Sequence, residues 1–332
     1  MPIYKKYDSG IYRIREICGI KITTKPLKNK IDSLFSYIYE IEKKIDSLDI
    51  RNKARMQILA LGDKKIIEEK RKEKLIVSLT TFPQRIYDID VVLFSLLNQT
   101  IKPDKIILWL SVEEFPNLED GVPLHILNMR KFGIEIEFCN NLYSYNKLIH
   151  SLKKYPNDII VTADDDVYYT PDWLEKLYNG YLEEPNYIHC HRAFYILFDD
   201  NNNLLPYRNW VKEIKWNNTK PSYRNFLTAT SGALYKRNLL HEDIFNEELF
   251  IKLAPKEDDG WFWAMAVLNG TKINVVKNNI IGLKDIGYDY QPKLWQYNIK
   301  INSLGLANRD IQIRNIINFY NYSIINKLFM ES

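Results

Sequence analysis

The sequence has few cysteines and no long apolar run. Its three cysteines, Cys18, Cys139 and Cys190, are odd in number and lack CxxC spacing, which predicts a reducing compartment and no disulfide framework. The longest apolar run, at 261–268, is far shorter than the roughly 18 to 20 residues of a membrane span. The first residues show neither a signal-type apolar run nor a small-residue cleavage site, so we expect no secretory signal. These absences predict a cytoplasmic protein, either soluble or peripheral at the inner membrane face.

The sequence also lacks a large excess of charge, internal repeats and low-complexity segments. Its 46 basic and 42 acidic residues leave a net charge of +4, and no basic stripe is interleaved with aromatic residues. A nucleic-acid partner is therefore not expected. Aromatic residues are abundant instead, with 23 Tyr, 14 Phe and 7 Trp. Such rings can stack on sugars or bases, although most pack in a protein core.

Residues 1–73 read as an N-terminal extension with one amphipathic helix. Apolar residues recur at alternating steps of three and four, which is the spacing of a coiled-coil seam: Ile31, Leu34, Ile38, Ile41, Ile45 and Leu48. Two interpretations stay open. The seam at residues 31–48 either pairs two copies of the chain as a homodimer or docks on the chain's own main domain. A charge run at 62–74 then leads into the next part as a solvated helix or linker.

Residues 74–290 alternate between short apolar strands and amphipathic helices. This alternation predicts an α/β domain with a mostly parallel sheet covered by helices on both faces. Ligands of such sheets bind beyond the carboxyl ends of the strands. Residues 291–332 form a predicted helical tail, rich in Ile and aromatic residues, that either covers the sheet or lies on a membrane surface.

The fourth predicted strand ends on three adjacent aspartates, Asp164, Asp165 and Asp166. Adjacent carboxylates repel one another unless a cation or hydrogen bonds compensate. Because side chains alternate along an extended chain, Asp164 and Asp166 can face the same side. Two oxygen ligands on one side suit Mg²⁺ or Mn²⁺, whose coordination a diphosphate can complete. The alternative is an acidic loop before a helix with Thr170 at the N-cap and Pro171 at the first helical position, but this explains Asp172 and not the triple.

Five segments together resemble bacterial glycosyltransferases of the family 2 type, which have a Rossmann-like GT-A fold. "TADDDVYY" (162–169) resembles the DxD motif of enzymes that use nucleotide-sugars. The others are "VSLTTFPQRI" (77–86), "SLLNQTIKPDKIILWLS" (95–111), "TSGALY" (230–235) and "LAPKEDDGWFWAMAVLNGTKI" (253–273). The resemblance covers roughly residues 74–285. It implies a metal-dependent enzyme that moves a sugar from a nucleoside diphosphate, UDP in particular, to a glycan or lipid-linked glycan during capsule or lipopolysaccharide synthesis.

A second acidic cluster, Glu257 to Asp259, opens an apolar helix that ends near Gly270. The cluster can serve as a helix cap, since carboxylates are stabilised at a helix N-terminus, but capping needs only one acid. The resemblance implies that the last Asp of this motif, about eleven residues before the Gly, is the catalytic base. That position is Asp259, with Asp258 beside it. A base on the face opposite the diphosphate implies inversion at the anomeric carbon.

The resemblance and the residues together give the following candidate site. Asp164 and Asp166 bind the metal, Mn²⁺ or Mg²⁺; the catalytic residues are Asp258 and Asp259; acceptor contacts come from Gly232 and Trp261; and the nucleotide-sugar contacts Thr80, Arg85, Lys147, Asp164 and Asp165. Two other functions compete with this one. A nucleotidyltransferase that makes a nucleotide-sugar would carry a Gly-rich first loop, which "SLTTFPQR" lacks. A non-catalytic sugar-binding protein would have lost one acidic cluster, and both are present.

Overall fold

The computed structural model describes residues 4–9, 12–24, 27–63, 65–287, 294–302 and 305–330. The chain divides into two compact units, Met1–Ile50 and Arg51–Ser332. The division therefore falls inside the predicted N-terminal extension rather than at residue 73. The other predicted boundary, at residue 290, lies outside the described residues.

The first unit contains a sheet that the sequence analysis did not predict. Strands β1 (Tyr4–Ser9), β2 (Tyr12–Ile17) and β3 (Ile20–Thr24) pair antiparallel in chain order. Cys18 and Gly19 form the turn between β2 and β3 with φ values of 48° and 85°, and two consecutive positive φ values are typical of a tight two-residue hairpin. Because most side chains of these strands are exposed, the hydrophobic alternation that normally predicts a strand is weak here.

The helix that carries the heptad seam, α1 (Leu27–Ala60), is much longer than the seam itself. The six seam residues are between 38% and 59% exposed. The predicted apolar stripe is therefore open to solvent along the helix in a single chain.

The second unit is built on a seven-stranded sheet. The strands of the whole unit, including two small two-stranded sheets, are β4 (Leu75–Thr80), β5 (Lys105–Ser111), β6 (Ile134–Cys139), β7 (Ile159–Thr162), β8 (Val167–Tyr168), β9 (Ile188–Cys190), β10 (Ala193–Tyr195), β11 (Asn225–Leu227), β12 (Ala233–Tyr235), β13 (Ile273–Val275) and β14 (Lys284–Asp285). The main sheet has the order β13-β9-β12-β7-β4-β5-β6, while β10 pairs with β11 and β8 with β14. Only β12 runs antiparallel to its neighbours, so the predicted mostly parallel sheet is confirmed.

Helices cover the sheet, and one of them begins at a different residue from the one predicted. They are α2 (Ile89–Leu97), α3 (Leu124–Leu127), α4 (Asn146–Lys154), α5 (Trp173–Glu183), α6 (Glu247–Leu253), α7 (Asp258–Asn269), α8 (Leu294–Ile299), α9 (Asn308–Tyr320) and α10 (Tyr322–Phe329). Helix α3 is a single α-helical turn, followed by a 3₁₀ segment that ends before Gly133. Helix α5 has Asp172 at its N-cap rather than Thr170, whose hydroxyl donates to the Asp172 carboxylate instead.

The C-terminal helices α9 and α10 belong to the hydrophobic core. Their buried residues are Ile313, Ile316, Ile317, Ile324 and Leu328, which join the same apolar cluster as Phe262 and the other buried residues of α7. This burial favours the first of the two predictions for the tail, that it covers the domain. Across the described ranges, the chain contains no helix of the length and hydropathy that spanning a bilayer requires.

The order of the parallel strands fixes the place of the site. Strand β4 lies between β5 and β7. The chain runs outward from β4 through β5 to β6 and then crosses back to β7, on the other side of β4. A crevice opens where strand order reverses, at the carboxyl ends. The segments that follow β4 and β7 meet there, and they carry Arg85 and the three aspartates. Buried Ser78 of β4 fixes α4 nearby, because its hydroxyl donates to the Lys147 carbonyl at 2.5 Å.

Candidate functional site

Both acidic clusters lie on the wall of one cavity of about 670 Å³. The cavity opens at the carboxyl ends of β4 and β7, as the strand order predicts. Its wall includes Asp164, Asp165 and Asp166 from the segment after β7, together with Asp258 and Asp259. The fold thus brings together carboxylates that are more than ninety positions apart in the chain. A cavity of this size is in the range of small-molecule sites.

Arg85 neutralises two of the three aspartates after β7. Its Nη1 atom lies 2.5 Å from Asp165 Oδ1 and 3.0 Å from Asp166 Oδ2. The Thr81 hydroxyl donates to the other Asp165 oxygen at 2.6 Å. Both Asp165 oxygens are therefore occupied by the loop that follows β4. Asp165 is the aspartate that ties the two loops together, which leaves its neighbours for other partners.

Asp166 lies deeper than an ordinary loop aspartate. Burial raises the pKa of its carboxyl and the neighbouring aspartates raise it further, although Arg85 opposes this shift. The strand β14 segment covers Asp166, whose carbonyl accepts a hydrogen bond from the Ile286 amide at 2.8 Å. At Gly287 a Cβ atom would lie only 2.6 Å from the Asp166 Cβ, so this close approach requires glycine. An anionic Asp166 is thus favoured most when a cation binds beside it.

Lys147 connects the two acidic clusters. Its ammonium lies 2.8 Å from Asp164 Oδ1 and 3.1 Å from Asp258 Oδ2. Burial acts to lower the pKa of Lys147, but the Asp164 and Asp258 carboxylates outweigh it and hold that pKa well above its usual value. Lys147 is therefore a permanent cation in a nearly closed environment. It is positioned by α4 to compensate one carboxylate from each cluster.

Asp258 and Asp259 occupy the first turn of α7, as the second cluster predicts. Asp259 Oδ1 accepts a hydrogen bond from the Ala229 amide at 3.0 Å. Its second oxygen has no hydrogen-bond partner among the described residues. Burial and the Asp258 charge raise the pKa of Asp259. A carboxylate with one free oxygen and a raised pKa is suited to accept a proton.

Eight of the ten predicted site residues line the cavity: Thr80, Arg85, Lys147, Asp164, Asp165, Asp166, Asp258 and Asp259. Thr80 is on the wall, although its hydroxyl donates to the Trp109 carbonyl at 2.9 Å. The fold brings these eight residues to one cavity because they lie at strand ends, in the first turn of a helix and on a neighbouring helix; their roles stay predictions.

The two predicted acceptor residues do not line the cavity. Trp261 is completely buried, because the first turn of α7 directs it into the core beside Phe250. Gly232 faces the Trp173 indole, and a Cβ atom there would lie 2.4 Å from that ring. The glycine is needed for this packing and for a φ of +90°. Predicting either residue as an acceptor contact was wrong.

Residues from the C-terminal helices also line the cavity and were missed: Leu294, Tyr297, Asn298 and Arg309. The helical pattern after residue 290 predicted only a tail. The available signal was weak, since a lone arginine in a helical pattern usually faces solvent. The neighbourhood of Arg309 is different, because its guanidinium contacts buried Glu257 and stacks over the Tyr207 ring with 4.5 Å to the ring centroid.

The residues present fit a divalent cation. Asp164 and Asp166 each have one carboxylate oxygen with no protein partner within the described ranges, and both line the cavity. In those same ranges, no three His, Cys, Asp or Glu side chains cluster as a complete ligand set. Mg²⁺ typically uses only one or two protein carboxylates and completes its shell with phosphate oxygens and water. Asp164 and Asp166 would hold such an ion.

Residues 130–243 match the profile of Glycosyl transferase family 2. No curated protein shows significant sequence similarity to the chain. Similar solved structures include residues 1–349 of TarS from S. aureus, at 15% identity and a TM-score of 0.40, with 63% of this chain and 59% of that chain covered. A CMP:2-keto-3-deoxy-manno-octonic acid synthetase in complex with CTP is similar at 12% identity and a TM-score of 0.35, with 64% and 91% covered.

The family match spans the segment that carries Lys147 and the three aspartates after β7, and it ends before Asp258. The observed sheet, with its crevice at the β4–β7 reversal, is the Rossmann-like arrangement that the resemblance implied. The match over residues 130–243 supports a glycosyltransferase, and the sheet has the order of a Rossmann-like, GT-A-type fold.

Proposed function

We propose that this glycosyltransferase moves a sugar from a UDP-sugar to a glycan acceptor with inversion, assisted by Mn²⁺ or Mg²⁺. One observation carries the proposal: two separate carboxylate clusters share one cavity, with Lys147 between them. Sugar transfer needs a compensated diphosphate on one side and a proton acceptor for the incoming hydroxyl on the other. The two clusters offer one site for each task.

On the donor side, Asp164 and Asp166 would hold the cation. When bound, that cation supplies positive charge to the leaving diphosphate. Arg85 fixes the loop by its contacts with Asp165 and Asp166. Thr80 and Lys147 complete the wall around the nucleotide-sugar. These residues would orient the donor and exclude water from its reacting carbon.

On the acceptor side, Asp259 would take the proton from the attacking hydroxyl. The Ala229 amide holds one of its oxygens and leaves the other for the acceptor. Asp258 is occupied by Lys147, which makes it the weaker candidate for the base. If the hydroxyl attacks from the face opposite the diphosphate, the configuration at the anomeric carbon inverts.

The acceptor and the cellular setting complete the proposal. We propose a glycan or lipid-linked glycan of a bacterial surface polysaccharide, capsule or lipopolysaccharide, and a cytoplasmic site of action. These points rest on the resemblance of the five segments. Peripheral membrane contact through the C-terminal tail is not included, because the apolar residues that suggested it, such as Ile316 and Leu328, are buried.

The metal role gives the first testable prediction. UDP should bind weakly to the metal-free protein and at least about tenfold more tightly with Mn²⁺, because the cation lets the carboxylates and the diphosphate share one site. Calorimetric titration with Mn²⁺ or with chelator measures this difference. Asp166→Asn should abolish most of the metal effect. Asp172→Asn is the matched control, since Asp172 pairs with Lys176 at the start of α5, outside the cavity wall. Equal UDP affinity with and without chelator would remove the metal from the proposal.

The exposed seam supports a homodimer through residues 31–48. Six apolar side chains at alternating three- and four-residue spacing stay open to solvent, and pairing with a second copy would bury them. Ile38→Asp combined with Ile45→Asp should therefore convert dimers into monomers while transfer activity stays largely intact. Light scattering measures the mass, and Tyr39→Asp serves as an exposed substitution off the seam. A wild-type protein that is monomeric at micromolar concentration would exclude this interface.

A further inference from the structure

The turn that leads into α7 is held by the C-terminal helices. Asn298 Nδ2 donates to the Lys256 carbonyl at 2.8 Å and to Glu257 Oε2 at 2.9 Å. The Lys256 amide donates to Gln312 Oε1 at 2.8 Å. Arg309 Nε donates to Glu257 Oε2 at 2.7 Å. Four hydrogen bonds from α8 and α9 therefore converge on the two residues immediately before Asp258.

The centre of this network is an ion pair that is nearly closed to water. The Glu257 side chain is 0% exposed and that of Arg309 is 14% exposed. Glu257 Oε1 has no hydrogen-bond partner among the described residues. A buried ion pair rarely stabilises a fold more than an apolar pair of similar volume, so this one requires another explanation. Arg309 and Asp259 both line the cavity, and the Arg309 charge acts on the Asp259 carboxyl.

We propose that Arg309 and Glu257 form a positioning pair, which holds the first turn of α7 so that Asp259 faces the acceptor and which tunes the electrostatic environment of that carboxylate. This inference rests on the proposed function of Asp259 as the base. The C-terminal helices are then part of the catalytic unit.

The charges around Asp259 make the pair testable. Burial and Asp258 raise the pKa of Asp259, Glu257 raises it further, and Lys147 and Arg309 lower it. The other titratable groups that face it are Tyr145, Tyr207, Tyr235 and Cys190, whose own pKa values are all raised by burial. These four groups stay neutral near pH 7, so they do not change charge where the base titrates. Arg309 and Glu257 thus act on Asp259 with opposite signs.

The experiment is a pH profile of kcat/KM, read as release of UDP from the UDP-sugar that the wild type uses. Arg309→Gln removes a cation, so the base should become harder to ionise and the acidic limb should move to higher pH by roughly half to one unit. Glu257→Gln removes an anion, so the limb should move to lower pH. The shift should be smaller than that of Arg309→Gln, because burial raises the pKa of Glu257 to about 7 and the side chain is partly neutral in this range. Arg314→Gln on the same helix, with a hydrogen bond to the Leu204 carbonyl, should leave the limb in place.

Each single variant leaves one buried charge without its partner, which can unfold the protein. The double variant Glu257→Gln plus Arg309→Gln removes both charges and therefore provides a folded protein for the same measurement. Its uncharged amides can preserve the contact, and its limb should lie between those of the single variants. UDP binding should change less than twofold in every folded variant. If the limb moves the same way in both single variants, or if neither it nor the double variant's limb moves, the pair is only structural. A wild type that releases no UDP from any UDP-sugar overturns the proposed function and this inference together, whereas an active wild type with unmoved profiles overturns the inference alone.

Discussion

Asp259→Asn should lower turnover by about 10² to 10⁴-fold while leaving donor affinity nearly unchanged. The Asn side chain cannot take the proton of the acceptor hydroxyl. It has nearly the same size as Asp, and its oxygen can still accept the hydrogen bond from the Ala229 backbone amide. Steady-state transfer rates and calorimetric titration with UDP and Mn²⁺ separate the two effects. Asp200→Asn, an exposed loop substitution, is the matched control and should change neither quantity.

The same experiment tests the assignment within the cluster. If Asp258→Asn causes the large loss and Asp259→Asn is mild, the base is the preceding residue and the two-site mechanism still holds. If both are mild while Asp166→Asn abolishes transfer, the α7 cluster is only a helix cap. Support for inversion with a base in this position would then be lost.

Lys147→Met should destabilise the fold by about 3–5 kcal/mol, the usual cost of leaving a buried charge without its partner. The substitution keeps the apolar stem but leaves the Asp164 and Asp258 carboxylates without the ammonium at 2.8 and 3.1 Å. Urea unfolding of the variant and of the wild type measures the loss.

The control for Lys147 is Lys153→Met on the same helix. Lys153 pairs with Glu247 at 2.5 Å, but its side chain is 44% exposed, and exposed ion pairs contribute little to stability. An equal loss in both variants would mean that Lys147 does not serve as a shared counter-charge.

The parts of the site that sequence reasoning could reach are those carried by local patterns. Strand-helix alternation predicted the parallel sheet, and acids at a strand end and a helix start predicted both clusters. A local pattern does not show which partner a side chain will have. Arg85 contacts two of the aspartates and Lys147 bridges both clusters only because of the order of the strands in the sheet.

The misses have the same physical origin. Arg309 and Glu257 are 52 positions apart, and the sequence around each residue contains no pattern that predicts their ion pair. Trp261 was assigned to the acceptor because it follows the acidic motif, but the helical turn directs it into the core, where it is fully buried. The first sheet, which starts at Tyr4, was missed because its exposed side chains show little of the apolar alternation that marks a strand.

The most direct test of the account is the small product that the purified protein releases. With Mn²⁺ and a panel of nucleotide-sugars, the protein should release a nucleoside diphosphate, UDP, from at least one UDP-sugar, and Asp259→Asn should suppress this release. Incubation with nucleoside triphosphates and sugar phosphates should release no pyrophosphate. Pyrophosphate release without any nucleoside diphosphate release would contradict sugar transfer and support a nucleotidyltransferase instead.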